Sequence, residues 1–510
     1  MNVWTLVNLT MKLLTETFAK EISFTLGCYD RIIIKGTIPE ICHCQGMTSF
    51  MLRNKLRIFD YAKYVEQYKE TLRQNAEKIA AENSLVIEFV RKSSLRKEDI
   101  IQNKLQQRGG HCGLVHIISA METCTTYKPW HDKTTGRTFL KYDITKCLHY
   151  YFYFIDELLG LCYVKVPTYC PFPLQIYFNG HNWLAQQMKK TGIAFTTLDN
   201  AFDYIEYPAK AQALADTMDI KKIHEKLDEY AFKFCPVYKA FNQRYHYSVA
   251  QIEYATDIVF NHQDQLKGLY QELIATAIHT VTPDNIATFL GTKLDPRYQG
   301  EVGNRYNIRI EGSRIRHQMG KSAIKMYDKM NKILRIETTT IDITFFKHYR
   351  KVEHRDGTTS NKIAPLKKNI YSLPLLQQNL QAANKRYLEF ISAFENKEVG
   401  TKRLKQITAP KNIKDRNYQG FNFFSQTDLD LLQCIARGEF NINGLRNKDL
   451  RQYIKANSNK VSRLLKRLFA HGLIKKAQSS YKYYLTKLGK QAIIMAEKIK
   501  ELILIPAFNY

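Results

Sequence analysis

Prolines and long apolar runs are scarce in this sequence, and the shortage excludes several classes of protein. Only 13 of the 510 residues are proline while 45% are hydrophobic, a composition typical of ordered globular chains. No apolar run approaches the roughly 18–20 residues that a membrane-spanning helix needs. The N-terminal residues lack the basic region and the small-residue cleavage site of a secretory signal peptide. We therefore expect an ordered protein with no membrane partner.

Acidic residues are also in short supply. The chain has 48 Asp and Glu against 76 Lys and Arg, which gives a formal net charge of +28. Because cations placed near phosphates release condensed counterions, an excess of this size favours a polyanionic partner. The composition therefore predicts that the protein binds nucleic acid.

Motifs of several enzyme classes are absent. The sequence contains no Walker A motif, no GxGxxG, no HExxH and no GxSxG, which disfavours ATPases, dehydrogenases, zinc proteases and α/β-hydrolases. The ten cysteines are scattered and many lie within apolar runs, as in a reducing compartment rather than a disulfide scaffold. No cofactor is evident, and we expect a cytoplasmic, nucleoid-associated bacterial protein.

Two segments contain metal-ligating residue types. One is Cys42-His43-Cys44, and the other holds His111, Cys112, His116 and Cys124. Structural zinc sites normally need two closely spaced pairs of ligands, and neither segment shows two clear pairs. Buried thiols and core histidines are the favoured interpretation, so the sequence predicts no metal site.

The stretch from Ser425 to Tyr510 has the element order of a winged helix-turn-helix. Apolar residues recur with helical periodicity in three successive segments, and Asn447 is placed as the N-cap of the second. His471-Gly472 marks the end of the third helix. A strand, a turn, a second strand and a last helix follow. A basic third helix in this order is what reading of the DNA major groove requires.

The third helix and the strands after it supply the predicted nucleic-acid-binding residues. These are Asn459, Lys460, Ser462, Arg463, Lys466 and Arg467 on the helix, and Lys475, Lys476, Tyr481 and Lys482 beyond it. The module resembles the MarR-type and related winged-helix domains of bacterial regulators, which implies double-stranded DNA as the partner. Winged helices also mediate dimerisation or protein docking, so a homodimer is an alternative use.

The rest of the chain predicts a mixed α/β body of the α+β class. Strands and helices alternate over residues 11–207, the N-terminal domain. In a central domain spanning 208–395, helices dominate from 208 to about 290, and a β-rich stretch and a helix follow. Residues 396–420 are polar, basic and weakly periodic, which predicts a mobile linker to the winged-helix domain of 421–510.

The segment from Ile324 to Thr339 is the candidate active site of the body. Two alternating runs flank Met330-Asn331, which predicts a β-hairpin. Its polar face suits phosphate binding or catalysis, and the alternative is a half-exposed hairpin with ordinary cross-strand ion pairs. Because side chains alternate along a strand, one face of the first strand carries Lys325, Tyr327 and Lys329. One face of the second strand carries Arg335 and Glu337.

This segment resembles the YDK…LRxE run of replication initiation proteins of bacterial plasmids and phages. Those proteins nick or melt origin DNA, and in some a tyrosine attacks the phosphodiester bond. The resemblance implies Tyr327 as the nucleophile, with Lys329, Arg335 and Glu337 in support and His317 as a partner. Such a nickase would need Mg²⁺ or Mn²⁺ held by His or carboxylates near the tyrosine. The sequence shows no metal motif here and no His-hydrophobic-His triplet, which weighs against one large class of nickases.

Longer stretches resemble a group of bacterial proteins of about this length that carry a C-terminal winged helix. The stretches are YDRIIIKGTI, KCLHYYFYFIDELLGLCYVKVPTYCPFPLQIYFNGHNWLA, KMYDKMNKILRIETT and GEFNINGLRNKDLR. This resemblance implies a shared architecture and no particular activity.

Two further features each allow two interpretations. In NGHNWLA, His181 is a possible catalytic residue, but Asn179-Gly180 before a helix more simply supplies a turn and a cap. Aromatic residues interleaved with basic ones, as in FNQRYHYSVAQIEY, can stack on unpaired bases, although core packing explains them equally well.

Taken together, these features predict a DNA-acting protein of a mobile genetic element, akin to a replication initiator, transposase or recombinase. The winged helix would select the site, and the body would nick, transfer or remodel the strand. Two alternatives remain open. One is a non-enzymatic winged-helix transcriptional regulator, and the other is an RNA-binding protein that uses its basic, aromatic-rich body.

Overall fold

A computed structural model divides the chain into two compact units. One unit comprises Lys12–Ser392, and the other contains Ala393–Tyr510. The residues that the structure describes are 13–91, 96–295, 297–309, 312–392, 396–413, 416–437, 439–440, 444–477 and 480–498.

The larger unit combines long strands with helices. Its strands are β1 (Ile22–Thr37), β2 (Ile87–Phe89), β3 (Gly113–Asp132), β4 (Arg137–Asp156), β5 (Gly160–Pro167), β6 (Leu174–Asn179), β7 (Phe195–Leu198), β8 (Ala201–Ile205), β9 (His246–Phe260), β10 (Val302–Arg309), β11 (Gly312–Met319), β12 (Ser322–Lys329), β13 (Ile333–Thr340), β14 (Lys347–Glu353) and β15 (Thr359–Pro365). Its helices are α1 (Leu14–Thr17), α2 (Cys44–Arg53), α3 (Tyr61–Glu82), α4 (Lys97–Arg108), α5 (Gly180–Lys190), α6 (Pro208–Asp216), α7 (Ile220–Phe234), α8 (Gln263–Thr280), α9 (Pro283–Phe289) and α10 (Leu373–Ile391).

A large sheet is the centre of this unit. Over the described residues it has 11 strands in the order β10-β11-β12-β13-β9-β1-β6-β5-β4-β3-β2. Neighbouring strands pair antiparallel, except that β2 runs parallel to β3. The β3–β4 hairpin turns at residues 133–136. The α+β class predicted for the body is therefore confirmed.

The strand β9 lies at the middle of the sheet, between β13 and β1. The sequence predicts mainly helix from residue 208 to about 290, and for residues 246–260 that prediction is wrong. The strand β9 lies between the helices α7 and α8, whose strong helical periodicity extends to either side of it. Its own alternation of buried and exposed residues is therefore difficult to recognise in the sequence. The sheet also takes strands from both sides of residue 207, where the sequence places a domain boundary.

Aromatic residues of the FNQRYHYSVAQIEY segment lie in the core. Phe241, Tyr245, Tyr247 and Tyr254 are each no more than 5% exposed. Their rings are therefore not available to stack on bases, and the core-packing interpretation of this segment is the correct one.

The two faces of the sheet differ in chemistry. Helix α10 packs on one face, where Asn384 donates to the backbone oxygens of Tyr254 and Ile336 and accepts a hydrogen bond from Thr338 at 2.6 Å. The opposite face of β1, β9, β12 and β13 presents charged side chains instead. The hairpin β7–β8 brings its turn residues Asp199 and Asn200 to this polar face.

The smaller unit has a helical core. Its elements are α11 (Asn396–Thr408), β16 (Lys411–Ile413), β17 (Arg416–Tyr418), α12 (Gln426–Ile435), α13 (Asn447–Ile454), α14 (Ser458–Ala470), β18 (Ile474–Lys476), β19 (Tyr483–Leu485) and α15 (Lys487–Lys498). None of the helices in the described parts of either unit is long and apolar enough to cross a membrane.

The described residues 396–413 and 416–420 contain helix and strand, which corrects the prediction of a mobile linker. The segment contains α11 and the β16–β17 ribbon. Ile407 of α11 is 5% exposed and belongs to the same hydrophobic cluster as Leu432, Leu450 and Leu468. The neighbouring Leu404 is 51% exposed, so apolar residues and burial do not coincide in this basic helix and the sequence pattern does not reveal the packing of Ile407.

Helix boundaries of the smaller unit follow from local caps. The side chain of Asn457 accepts a hydrogen bond from the backbone N–H of Lys460 at 2.8 Å and begins α14. Gly472, with a φ of +73°, follows its end as predicted. Asn447, predicted as an N-cap, is instead the first residue of α13, and its side chain donates to Ser462 Oγ at 2.8 Å.

Candidate active site

The hairpin β12–β13 forms as the sequence predicts. Met330 and Asn331 have φ values of +54° and +57°, the left-handed pair that a tight hairpin turn requires. Tyr327 lies opposite Arg335, and Lys325 lies opposite Glu337. The structure therefore brings together the polar side chains that the alternating pattern places on shared faces.

This polar face is buried rather than half-exposed. Arg335 is 0% exposed, Glu337 2% and Lys329 9%. The turn of β7–β8 covers it, because Lys329 Nζ contacts Asp199 Oδ2 at 2.8 Å and also the side chain of Asn200. Ordinary surface ion pairs are therefore not an adequate description of these residues.

Arg335 is the centre of a buried ion cluster. Its Nε and Nη2 donate to the two carboxylate oxygens of Asp257 at 2.6 and 2.7 Å, a bidentate pair. Its Nη1 lies 3.4 Å from Asp30 Oδ2, and Nη2 donates to the backbone oxygen of Asn200 at 2.9 Å. A fully buried guanidinium is tolerated only with partners of this kind.

His181 lies between the same two aspartates. Its Nδ1 is 3.4 Å from Asp30 Oδ1, and its Nε2 is 3.5 Å from Asp257 Oδ2. Asn179 caps α5 by accepting from the backbone N–H of His181 at 2.7 Å, and its amide donates to Asp30 at 3.0 Å. At Gly180 a Cβ would meet the backbone oxygen of Tyr29 at 2.2 Å. The predicted turn and cap are confirmed, and they also place His181 in the ion cluster.

The charged groups of this cluster shift one another's pKa. Burial on its own would raise the pKa of Asp257, but Arg335 and His181 hold that pKa at about 2. Burial likewise opposes ionisation of Asp30, yet Arg335 and His181 keep its pKa well below the usual range. Burial disfavours the charged form of His181, but the nearby carboxylates of Asp257 and Asp30 raise its pKa.

A β-bulge places two charged residues on one face of β1. Asp30 and Arg31 together lie opposite the single residue Glu253 of β9, because the pairing steps from Tyr29 to Ile32 on β1 while β9 advances by only two residues. Without the bulge, consecutive residues would point to opposite faces of the sheet. Both side chains instead line a cavity of about 580 Å³ with Glu253, Lys325, Tyr327 and Glu337.

Three carboxylates converge in this cavity. Oxygens of Asp30, Glu253 and Glu337, from the adjacent strands β1, β9 and β13, lie within 4.8 Å of one another. Lys325 Nζ contacts Glu337 Oε1 at 2.5 Å and Glu253 Oε1 at 3.5 Å, and Tyr327 donates to Glu337 Oε2 at 2.7 Å. We call Asp30, Glu253 and Glu337 the carboxylate trio.

The carboxylate trio fits a divalent cation. Burial and the charge of Glu337 raise the pKa of Glu253, even though Lys325 and Arg31 lie nearby. A cation bound beside Glu253 would lower this pKa again. Oxygen ligands of this type suit Mg²⁺ or Mn²⁺. Among the residues that the structure describes, no other group of three or more possible ligands comes as close together.

Tyr327 and His317 do not have the environments predicted for a nucleophile and its partner. Burial and Glu337 raise the pKa of Tyr327 well above its ordinary value, so an ionised phenolate is disfavoured. His317 contacts Asn304 at 2.7 Å and the hydroxyl of Tyr387 at 2.9 Å, on the α10 face of the sheet. Burial lowers its pKa to about 4. The prediction that His317 assists Tyr327 is therefore wrong.

Several residues of the site are not recognised from the sequence. Asp30 and Asp257 each interrupt an apolar strand, in YDRIII and ATDIVF. A charged residue within a buried strand is the one signal that marks them, since a buried charge needs a partner. Glu253 has no comparable signal, because it lies in a segment with mixed polarity.

The predicted nucleic-acid-binding residues of the smaller unit separate into two groups. On α14 and β18–β19, the exposed residues are Asn459, Lys460, Arg463, Lys466, Lys475, Lys476 and Tyr481, while Ser462, Arg467 and Lys482 are half-buried. Arg467 donates to both carboxylate oxygens of Asp428 at 2.7 and 2.8 Å and to the backbone oxygens of Gln419 and Gly420. Arg467 is therefore engaged in holding its own unit together.

Comparison with known proteins identifies no relative of this chain. No protein-family model, curated protein or solved structure matches the chain. Function must therefore be inferred from the side chains and their geometry.

Replacing Arg335 by Met should leave Asp257 and Asp30 buried without their main counter-charge. We expect a loss of roughly 3–5 kcal/mol in the free energy of unfolding, the usual cost of breaking a buried pair. Urea unfolding followed by fluorescence of the buried Trp183 measures it. The control is Arg73→Met, because Arg73 forms only exposed ion pairs on α3 and its loss should cost less than about 1 kcal/mol. Equal losses for the two variants would contradict the central role of Arg335.

The stabilisation contributed by His181 should depend on pH. Because its folded-state pKa lies above the ordinary 6.5, this contribution is complete below about pH 6.5 and is lost as the pH rises through the folded-state pKa. The free-energy difference between the wild type and His181→Gln should therefore shrink with increasing pH. His317→Gln is the matched control with the opposite trend. The lowered pKa of His317 makes its contribution grow as the pH rises from about 4 to 6.5. A pH-independent difference for His181→Gln would show that His181 is neutral.

Proposed function

We propose that this chain is a DNA-acting enzyme that uses a divalent cation to nick or transfer phosphodiester strands. The larger unit would carry the chemistry, and the smaller unit would select the DNA. The carboxylate trio at an open, charged cavity carries this proposal.

The carboxylate trio has the chemistry that phosphodiester cleavage needs. A divalent cation held by Asp30, Glu253 and Glu337 would polarise a phosphodiester and stabilise the negative charge that develops on it. Arg31, whose side chain is 45% exposed, lies at the same cavity and offers a guanidinium to a phosphate oxygen. Lys325 supplies a second cation, although its ammonium already contacts two of the three carboxylates.

Tyr327 fits a positioning role better than that of a nucleophile. Its hydroxyl and the ammonium of Lys325 donate to the two different oxygens of Glu337. These two contacts fix the orientation of that carboxylate toward the cavity. Water is then the attacking group in strand cleavage, and a covalent tyrosine adduct is not expected.

The smaller unit supports the choice of DNA as substrate. After α11 and the β16–β17 ribbon, its order of three helices, two strands and a helix supports a winged helix, in which α14 would be the recognition helix and β18–β19 the wing. Exposed cations line one face of α14 and continue onto β18. A large body beside such a module is the arrangement of a replication initiator, transposase or recombinase of a mobile genetic element.

Replacing Glu253 by Gln tests the cation site. This variant removes one anionic ligand from a side chain outside the Arg335 cluster, so the fold should survive. We expect cleavage of supercoiled or single-stranded DNA in Mg²⁺ or Mn²⁺ to fall about 100-fold or more, the scale on which one charge-stabilising group acts. Glu82→Gln is the control, since Glu82 is 57% exposed and lies on α3. Its cleavage should match that of the wild type.

Two results of this experiment would overturn the proposal. Wild-type protein that cleaves no DNA in either metal would be a non-enzymatic regulator. A covalent protein–DNA adduct that disappears in Tyr327→Phe would restore Tyr327 as the nucleophile.

Arg463 and Arg467 should respond differently to replacement by Ala. Arg463 is exposed on α14, so Arg463→Ala should weaken duplex binding and reduce the slope of log affinity against log salt by about one. Arg467→Ala should instead lower the melting temperature, because Asp428 loses its bidentate partner. Fluorescence anisotropy at several salt concentrations and thermal unfolding measure the two effects. An unchanged salt slope for Arg463→Ala would exclude α14 as the DNA contact.

A further inference from the structure

A second cavity adjoins the carboxylate trio. It has a volume of about 240 Å³ and shares Arg31, Gln102, Asp199 and Asn200 with the larger cavity, so the two are continuous. Its lining differs, because most of its side chains are aromatic, apolar or amide, although Glu98 and Asp199 also line it. We call it the tyrosine slot.

Three tyrosines form one wall of the tyrosine slot. Tyr153 on β4 lies directly opposite Tyr163 on β5, and Tyr163 lies directly opposite Tyr177 on β6. The rings of Tyr163 and Tyr177 are stacked at 5.1 Å with an interplanar angle of 16°, and those of Tyr153 and Tyr163 are 5.2 Å apart. Ile101 and Leu105 of α4 also line the slot. A ladder of rings beside these two apolar side chains suits a flat aromatic ligand.

Amide groups at the tyrosine slot are available to a ligand. Gln102 of α4 and Asn182 of α5 both line it, and the described residues offer their side-chain amides no hydrogen-bond partner. Amides of Asn and Gln both donate and accept, which suits the hydrogen-bonding edge of a heterocycle. Arg31 lies over the ring of Tyr177 at 5.7 Å and also lines the larger cavity. It therefore connects the aromatic and the charged compartments.

We propose that the tyrosine slot binds one nucleobase of the strand whose phosphate lies at the carboxylate trio. This inference rests on the proposed function and adds the substrate class. The base would stack on Tyr163 and Tyr177, its edge would face Gln102 and Asn182, and Arg31 would contact the linking phosphate. The volume of about 240 Å³ suits one base rather than a base pair. The substrate is therefore single-stranded DNA, or a duplex with one base turned out of the stack.

Fluorescence of a base analogue tests the tyrosine slot. The probe is a single-stranded DNA oligonucleotide with one 2-aminopurine beside the scissile phosphate, bound to the full chain in Ca²⁺, which takes oxygen ligands as Mg²⁺ does. Stacking on the wild type should quench its fluorescence. Tyr163→Ala and Tyr177→Ala should abolish the quenching and raise Kd about tenfold, the scale of base–aromatic stacking.

Two controls separate stacking from folding. Tyr163→Phe keeps the ring and should keep the quenching, while Tyr349→Ala removes a 65% exposed tyrosine elsewhere in the unit and should change nothing. An abasic site at the probe position should weaken binding to the wild type about tenfold and leave binding to Tyr163→Ala unchanged. Because the abasic strand is compared with the normal strand on wild-type protein, this result does not depend on the folding of a variant.

The outcomes distinguish this inference from the proposed function. If the wild type binds and cleaves abasic and normal strands equally and quenches neither, the tyrosine slot is not a base site and the nuclease proposal stands. If quenching depends on Tyr163 but no metal supports cleavage, the base site stands and the nuclease proposal fails.

Discussion

The ion pair between Arg335 and Asp257 is the constraint on which the larger unit depends. It joins β13 to β9 at the centre of the sheet, and the same guanidinium reaches Asp30 on β1. Buried ion pairs seldom stabilise a protein more than apolar packing would, so a fully buried Arg indicates a role besides stability. The strands that it fixes carry the carboxylate trio. Holding Arg335 in register against Asp257 therefore also holds Glu337 and Glu253 in place.

Two electrostatic layers follow from this arrangement. In the inner layer, Arg335 and His181 lie between Asp30 and Asp257. In the outer layer, Lys325 and Arg31 pair with Glu253, and Lys325 also contacts Glu337. Burial and the neighbouring Glu337 nevertheless raise the pKa of Glu253. The inner layer can be understood as structure, whereas the carboxylates of the outer layer line a cavity, where they can meet a ligand.

Local pattern predicts the β12–β13 hairpin, because its turn and both alternating runs are contiguous in the sequence. It does not predict the partners of Arg335, since Asp30 and Asp257 lie far away along the chain and a helix or strand pattern carries no pairing information. The same limit applies to Arg467. A helical wheel places it on the polar face of α14, and only the tertiary fold brings Asp428 beside it. The sequence therefore predicts the part of the site that the β12–β13 hairpin supplies. It does not predict the part that β1 and β9 supply.

Net charge and local charge act at different ranges in this molecule. Because each internal ion pair uses one cation and one anion, pairs such as Arg335–Asp257 and Arg467–Asp428 leave the excess of 28 positive charges unchanged. That excess lies outside such pairs and attracts a polyanion over a distance of about a Debye length. At the cavity cations and anions are mixed, because Arg31, Lys325 and Lys329 lie beside the three carboxylates. A phosphate attracted by the positive surface can approach them closely only when a cation accompanies it, so the strand and the metal ion would need each other at this site.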